Sequence, residues 1–418
     1  MLHTQLIIFF IIGYLAIIFD KFLHVNKAAV ALVMGVVCWL LYFGESMHLI
    51  SASAMAEQIY DVAQIIFFLL GVMVIVEMID SHHGFKLITD MIYTSSKRRM
   101  LWFLIIISFF MSAVLDNLTS MIVVISLLRK MIPNVKDRWL MGSVIVIAVN
   151  AGGAWTPIGD VTTTMLWINE KISTWQTIKT LFIPSIVCVL VSGLLATLLI
   201  KGENEKVEGS FTMHKMEPGA RRVLGLGLLS LVMIPVWKAA LHVPPFMGAL
   251  LGLGIIWLIT DIIHFRYGEE RWHLRVLHVL TKVDISGIFF FLGILLAIDA
   301  LGTAGILSNF AHFLERIVPD QKWVAMIIGL ISSIVDNVPL VAATMGMYDM
   351  AQFPPDSMLW QLIAYCAGTG GSILIIGSAA GVVFMSMEKI DFFWFAKKVG
   401  WIALVGYLAG FFTYLLLT

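Results

Sequence analysis

The chain has 418 residues, of which 60% are hydrophobic and only 13% are charged, and its mean hydropathy is +0.95. Soluble domains carry about 25% charged residues, so this composition excludes an ordinary soluble domain and predicts a polytopic membrane protein. The formal net charge is zero, so nothing points to a nucleic-acid partner, and the three cysteines lie in apolar runs that favour packing over disulfides.

Apolar runs that are long enough to cross a bilayer recur along the whole chain. A transmembrane helix needs about 20 mostly apolar residues. The first run follows no basic segment and has no small-residue cleavage site, so it is predicted to be a retained span rather than a signal peptide. Simple spans are predicted at 5–20, 28–44, 59–80, 175–200, 223–239, 246–264, 285–300 and 393–416. Polar or helix-breaking residues interrupt four further segments, at 102–131, 140–168, 323–350 and 358–388.

Segment 102–131 is predicted to be a re-entrant hairpin. Asp116 and Asn117 divide it into arms of about 14 residues, or about 21 Å of helix, which is too short for a hydrocarbon core of ~30 Å. Lysines and arginines flank both ends of the segment, so a hairpin that enters from the cytoplasm keeps both basic clusters inside.

The second hairpin, 323–350, has its tip at Asp336–Asn337. Its flanks are poor in lysine and arginine, so it is predicted to enter from the opposite side of the membrane. With the N-terminus outside, 22 of the 27 lysines and arginines then lie in the cytoplasm, as the positive-inside rule requires.

Three pairs of similar segments divide the chain into two halves. "FFLLGVMVIVEMID" resembles "FFFLGILLAIDALG", "SAVLDNLTS" resembles "SSIVDNVPL", and "NAGGAWTPIGD" resembles "GTGGSILIIGS", at offsets of 222, 220 and 218 residues. The predicted fold is therefore an all-α polytopic membrane protein with two inverted-topology repeats of five spans, each with a re-entrant hairpin and a broken helix. The repeats cover 1–200 and 223–418, and a cytoplasmic linker at 201–222 joins them.

Segment 140–168 is predicted to unwind inside the membrane. Gly152 and Gly153 permit non-helical backbone, and a proline follows them. Segment 358–388 repeats these glycines without a carboxylate. Polar residues near the two breaks are Asn150, Thr156, Asp160, Thr162, Thr369, Ser372 and Ser378. Because such breaks in inverted-repeat transporters meet near the midplane and coordinate ions, we expect Asp116, Asn117 and Asp160 to bind a cation together with the freed carbonyls.

The two hairpin tips, the "NAGGAWTPIGDVTT" break and the "GTGGS…GSAAG" break resemble the NhaD-type sodium/proton antiporters of the ion transporter (ArsB/NhaD) superfamily. The resemblance covers nearly the whole chain. It implies a secondary transporter of the bacterial inner membrane that exchanges Na⁺, and also Li⁺, for H⁺ and serves pH homeostasis. It implies a scaffold and a moving transport domain and no cofactor, and a homodimer is compatible with it.

The resemblance also implies one site that is shared by both hairpins and both broken helices. Carried over by motif, its residues are Asp116, Asn117, Thr119, Asn150, Asp160, Thr162, Asp336, Asn337 and Ser378, with Na⁺ held by Asp116, Asn117, Asn150 and Asp160. Glu77 and Asp299 lie near span ends and are candidates for a proton path.

Three alternatives remain open at the level of sequence. A sodium-coupled dicarboxylate symporter of the same superfamily would have neutral Ser-Asn-Thr tips, whereas both tips here carry an aspartate, which disfavours a dianion. An arsenite-type exporter is less firmly excluded. An intramembrane aspartyl protease would use Tyr60–Asp61 and Gly159–Asp160, but the first glycine of its GxGD motif is replaced by Pro157, and the matched tips would be left without a role.

The predicted mechanism is exchange by competition. A carboxylate that is withdrawn from water holds a proton more tightly, and together with its neighbours it binds either that proton or a dehydrated Na⁺. Two coupled carboxylates, Asp116 and Asp160, would release two protons for each Na⁺ and would make exchange electrogenic.

Overall fold

The computed structural model describes residues 2–18, 23–45, 52–85, 96–132, 134–200 and 217–418. Most of the predicted linker 201–222 lies outside these ranges. All regular secondary structure in the described ranges is helical, and eight helices in them are long and apolar enough to cross a membrane. The prediction of an all-α polytopic membrane protein is therefore confirmed.

In the first half of the chain, the described residues form eight helices. Their bounds agree with the predicted apolar runs to within a few residues, except for one helix that begins earlier. They are α1 (Leu2–Ile18), α2 (Lys27–Glu45), α3 (Ala52–Ser81), α4 (Lys97–Leu115), α5 (Asn117–Met131), α6 (Val135–Ala154), α7 (Val161–Ile168) and α8 (Thr174–Leu199). Helix α3 begins at Ala52, seven residues before the predicted start of the span at Ile59. These seven residues are less apolar than the rest of the helix, so hydropathy alone does not include them.

The second half continues with α9 (Ala220–Leu241), α10 (Pro245–His264), a 3₁₀ helix (Phe265–Leu274), a short helix (Val276–Val279), α11 (Ile285–Thr303), α12 (Ile306–Ile317), α13 (Gln321–Ser332), α14 (Asn337–Met347), α15 (Met358–Gly370), α16 (Ala379–Glu388) and α17 (Phe392–Leu417). Helix α17 includes a π-helical turn at Ala396–Gly400.

Helix α12 was not predicted. Its 12 residues span about 18 Å, which is too short to cross a membrane. Phe310, Phe313 and Ile317 are more than half exposed and share one face at helical spacing. Hydropathy over a spanning length does not predict this helix, because an amphipathic segment of three turns is shorter than that length.

The predicted hairpins are pairs of helices that break at their aspartates. Helix α4 ends and α5 begins at Asp116, whose side chain accepts a hydrogen bond from Thr119 N at 2.8 Å. At the other end of this pair, Lys97 forms an ion pair with Asp137 at 2.9 Å, and Arg129 binds Glu388 at 2.6 Å. The outer ends of α4 and α5 therefore both lie beside charged residues at one end of the molecule.

Corresponding helices of the two halves pack in the same way. Helix α4 packs on α6, and α13 packs on α15. Ser112 Oγ donates to Val149 O at 2.6 Å, and Ser332 Oγ donates to Ala367 O at 2.9 Å. These two hydrogen bonds occupy corresponding positions in the matched segments. The halves join where α2 packs on α11, α3 on α10, and α8 on α17.

Candidate cation site

The two broken helices restart on a polar side chain. Asp160 Oδ1 accepts a hydrogen bond from Thr162 N at 3.1 Å and caps α7. Ser378 Oγ accepts from Gly381 N at 3.2 Å and caps α16. Such caps satisfy amide groups that the start of a helix leaves free, which is essential inside a membrane.

Glycines let the chain fold back on itself at each break. A Cβ atom added to Gly153 would lie 2.3 Å from Gly159 O, and one added to Gly371 would lie 2.7 Å from Gly377 O. Both distances are shorter than real contacts allow, so neither turn accepts a side chain. The close approach brings the backbone around Gly153 against the Asp160 side chain.

A chain of buried amides and hydroxyls links the first hairpin to both breaks. Asn117 Nδ2 donates to Asn150 Oδ1 at 3.0 Å and to Asp160 Oδ2 at 3.1 Å. Asn150 Nδ2 donates in turn to Ser372 Oγ at 2.9 Å and to Ser378 Oγ at 2.8 Å. All five side chains are at least 95% buried. The network thus fixes how the first tip, the first break and the second break face one another.

Both hairpin tips and the first break line one cavity of about 100 Å³. Its wall includes the carboxylates of Asp116, Asp160 and Asp336 and the amides of Asn117 and Asn337. Carboxylate and amide oxygens are the ligands that hard cations prefer, whereas three carboxylates around one space would repel an anion. The arrangement suits a small cation that has lost part of its water.

The backbone of Asp116 has φ of +80° and ψ of 160°, a combination that non-glycine residues rarely adopt. Residues in such regions carry about 1–3 kcal/mol of strain and persist where their surroundings fix them. Here Thr119 N at 2.8 Å and Thr119 Oγ1 at 2.9 Å hold the carboxylate. The strained backbone and the two donors together set the direction in which this carboxylate points.

Several predicted residues lie outside the lining of the cavity. Thr156 Oγ1 donates to Ala113 O at 2.6 Å, and Thr369 Oγ1 donates to Tyr365 O at 2.6 Å, so both hydroxyls are engaged with backbone. Gly152 packs on the hairpin, where an added Cβ would lie 2.2 Å from Phe109 O. Thr162 reaches the site through its backbone amide.

The two candidates for a proton path also lie apart from the cavity. Glu77 accepts a hydrogen bond from Ser81 Oγ at 3.4 Å near the end of α3, and Asp299 lies in the last turns of α11. Neither residue lines the cavity that holds the three aspartates. Any role for them would therefore require a route outside this cavity.

Lys27 and Asp284, which were not predicted as site residues, also line the cavity. Lys27 is the first residue of α2, and Asp284 caps α11. Charged residues at the ends of spans are common, so neither position stood out. Their place on one cavity wall became visible only once the helices were packed.

Comparison with known proteins identifies the family. A family profile described as "Citrate transporter" matches residues 14–364. Sodium/proton antiporters 1 and 2 of Arabidopsis thaliana are 51% and 50% identical over 97% of this chain, and the matches cover 70% and 97% of those proteins. The Na⁺/H⁺ antiporter NhaD of Halomonas elongata is 27% identical over 98% of the chain and 87% of its own length. The chain therefore belongs to the NhaD-type sodium/proton antiporters of the ion transporter superfamily, which are ion transporters rather than enzymes.

Proposed function

We propose that this protein is a secondary active transporter that exchanges Na⁺ for H⁺ across a membrane. The observation that carries the proposal is the single cavity that Asp116, Asp160 and Asp336 line from three separate segments. The names of the relatives, sodium/proton antiporter and NhaD, support the same activity. Li⁺ is included in the proposal because it is a small cation that accepts the same oxygen ligands.

The proposed chemistry is competition of Na⁺ and H⁺ for the same carboxylates. Asp116 and Asp160 are each held by backbone donors, so they present oxygens in fixed directions. Either a proton or a sodium ion offsets their mutual repulsion, and alternating access carries each form across the membrane. Two protons per Na⁺ would make the cycle electrogenic.

The hydrogen bonds assign different roles to the two asparagines. Asn117 uses both amide hydrogens, on Asn150 and Asp160, which leaves its Oδ1 available to a cation. Asn150 accepts from Asn117 and donates twice to serines of the second break, so in this conformation it orients Asn117. We therefore propose Asp116, Asn117 and Asp160 as direct ligands of Na⁺, and Asn150 as a positioning residue.

We propose the inverted-repeat arrangement as the framework of the site. It is supported by the corresponding hydrogen bonds of Ser112 and Ser332 and by the way charged groups cluster. Glu388 forms ion pairs with both Arg129 and Arg138. All three residues lie in segments that the charge distribution assigns to the cytoplasm. At the other end, Asp356 Oδ1 accepts from Ser173 N at 2.7 Å. A cysteine in 201–222 should be labelled only from the cytoplasm, and one near Asp320 only from outside.

The proposed location is the inner membrane of a bacterium, which is supported by the bacterial NhaD relatives. Many apolar side chains on the spanning helices are exposed, as expected for contact with lipid. A homodimer is the oligomeric form we propose. Membrane fractionation tests the location, and cross-linking in the isolated membranes, without detergent, tests the homodimer.

Transport of a carboxylate is the second candidate, because the matching family profile is described as a citrate transporter. Three aspartates in one cavity disfavour a di- or trianion, since each would have to be protonated or paired with a cation first. The candidate predicts Na⁺-dependent uptake of citrate or succinate, whereas the antiporter predicts none.

One assay separates these possibilities. Everted vesicles or proteoliposomes that carry a fluorescent pH indicator are given a proton gradient, and Na⁺, Li⁺, K⁺, citrate, succinate and arsenite are added in turn. An antiporter dissipates the gradient on addition of Na⁺ and Li⁺. A response to citrate, succinate or arsenite with none to Na⁺ alone would refute the proposal.

A further inference from the structure

The cavity that holds the three aspartates extends to the start of two spanning helices. Besides Asp116 and Asp160, its lining includes Lys27 at the start of α2 and Asp284 at the start of α11. Burial decreases along this wall. Asp160 is buried, Asp116 and Lys27 are half-buried, and Asp284 is exposed. Asp284 therefore marks the end of the cavity that lies nearest the surface.

The two helix starts adjoin at one end of the molecule. Ser286 Oγ donates to Asn26 Oδ1 at 3.3 Å, which ties the beginning of α11 to the beginning of α2. The loops that precede these helices, 21–27 and 265–284, belong to the basic set that the positive-inside rule assigns to the cytoplasm. The exposed end of the cavity therefore faces the predicted cytoplasmic side.

The charges at this end are held in place. The Lys27 ammonium lies 4.6 Å from the centroid of the Phe290 ring, a cation–π distance that keeps it at the wall. Asp284 Oδ1 accepts from Gly287 N at 2.9 Å. A Cβ atom added to Gly287 would lie 2.5 Å from Asp284 Oδ2, so the second oxygen lies against a residue that itself lines the cavity. A fixed negative charge at the mouth of a cleft with low-dielectric walls raises the local concentration of cations.

We infer that Lys27 and Asp284 form the cytoplasmic entrance of the ion path, in which Asp284 concentrates cations at the mouth and Lys27 forms part of its wall. The inference rests on the proposed Na⁺/H⁺ exchange and on the sidedness of the hairpins. Asp284 acts on the approach of the ion and not on its binding between the tips. Its removal therefore changes access from one face of the membrane only.

Asp284→Asn is the informative variant, because asparagine keeps the helix cap and removes the charge. In everted vesicles, which expose the cytoplasmic face, we expect the KM for Na⁺ to rise about twofold to fourfold at low ionic strength. The rise should vanish at high ionic strength, because salt screens an exposed charge. In right-side-out vesicles the KM should be unchanged, and Asp284→Glu should restore the cytoplasmic value.

Asp391→Asn is the matched control. Asp391 is also exposed, lies in a basic loop on the predicted cytoplasmic side, and caps α17 by accepting from Trp394 N at 2.8 Å, but it does not line the cavity. We expect no change in KM from either face. An equal rise in Asp391→Asn, a rise on both faces in Asp284→Asn, or no rise at low ionic strength would overturn the role of Asp284.

A labelling measurement tests the entrance without transport. Met73 lines the same cavity, and the three native cysteines are buried. A Met73→Cys variant should react with a membrane-impermeant maleimide that is applied to the cytoplasmic face. Normal Na⁺ exchange with labelling only from the opposite face would overturn the entrance and leave the antiporter standing. Cytoplasmic labelling of Met73→Cys, with no Na⁺ exchange in vesicles that carry the parent protein, would overturn the proposed function while the entrance stood.

Discussion

Replacing Asn150 by alanine tests whether the buried network sets the affinity for sodium. The amide accepts one hydrogen bond from Asn117 and donates two, to Ser372 and Ser378, at distances of 2.8–3.0 Å. Asn150 is completely buried, so water cannot replace these partners in the folded protein. The variant leaves Asn117 with its hydrogen bond to Asp160 alone, and it leaves two serine hydroxyls without this partner.

The size of the effect follows from the three lost bonds. Side-chain hydrogen bonds between membrane helices are worth about 0.6 kcal/mol each on average, so three contribute about 2 kcal/mol. Since about 1.4 kcal/mol is a factor of ten, the KM for Na⁺ should rise about threefold if only the bond to Asn117 matters. It should rise about twentyfold if all three bonds matter.

The measurement is the KM for Na⁺ in everted vesicles at fixed pH, with protein amount and thermal stability recorded in parallel. Ser112→Ala is the control, because it removes one fully buried hydrogen bond, to Val149 O, at a residue that does not line the cavity. It should lower stability slightly and leave KM unchanged. A KM within twofold of the parent in Asn150→Ala, or an equal rise in Ser112→Ala, would refute the positioning role.

Three further expectations concern the carboxylates and the turn at the first break. If Na⁺ and H⁺ compete, the KM for Na⁺ should fall as pH rises, by up to about tenfold per pH unit where one proton is displaced. A KM that stays flat from pH 6 to 9 would contradict competition. Asp116→Asn should abolish exchange, because it removes the charge for which the two cations compete. Asp336→Asn should be as damaging as Asp116→Asn, because both carboxylates line the cavity, and exchange at the parent rate would leave the second tip purely architectural. Gly153→Ala should abolish exchange, since its Cβ would lie 2.3 Å from Gly159 O, whereas Gly225→Ala, with nothing within 4 Å, should exchange and unfold like the parent.

The four polar breaks could be predicted from sequence because each is a local event. Asp116, Asp160, Asp336 and Ser378 each begin a helix by accepting hydrogen bonds from amides two or three residues ahead. A short polar side chain after an interrupted apolar run predicts a helix N-cap, and the interruption marks where the pattern of a spanning helix ends. Their use as cation ligands remains a prediction that the proposed assays test.

The sequence by itself determined the spanning helices and the coarse fold, because hydropathy and helix caps act over neighbouring residues. Tertiary structure decided which of the polar residues meet. Asn150 turned out to bridge Asn117 and two serines more than 220 positions away, and Thr369 turned back to its own helix. Lys27 and Asp284 joined the cavity only because α2 packs on α11. The physical reason is that a side-chain hydrogen bond or a shared cavity depends on how helices that are distant in sequence are packed and rotated, and local composition does not specify that geometry.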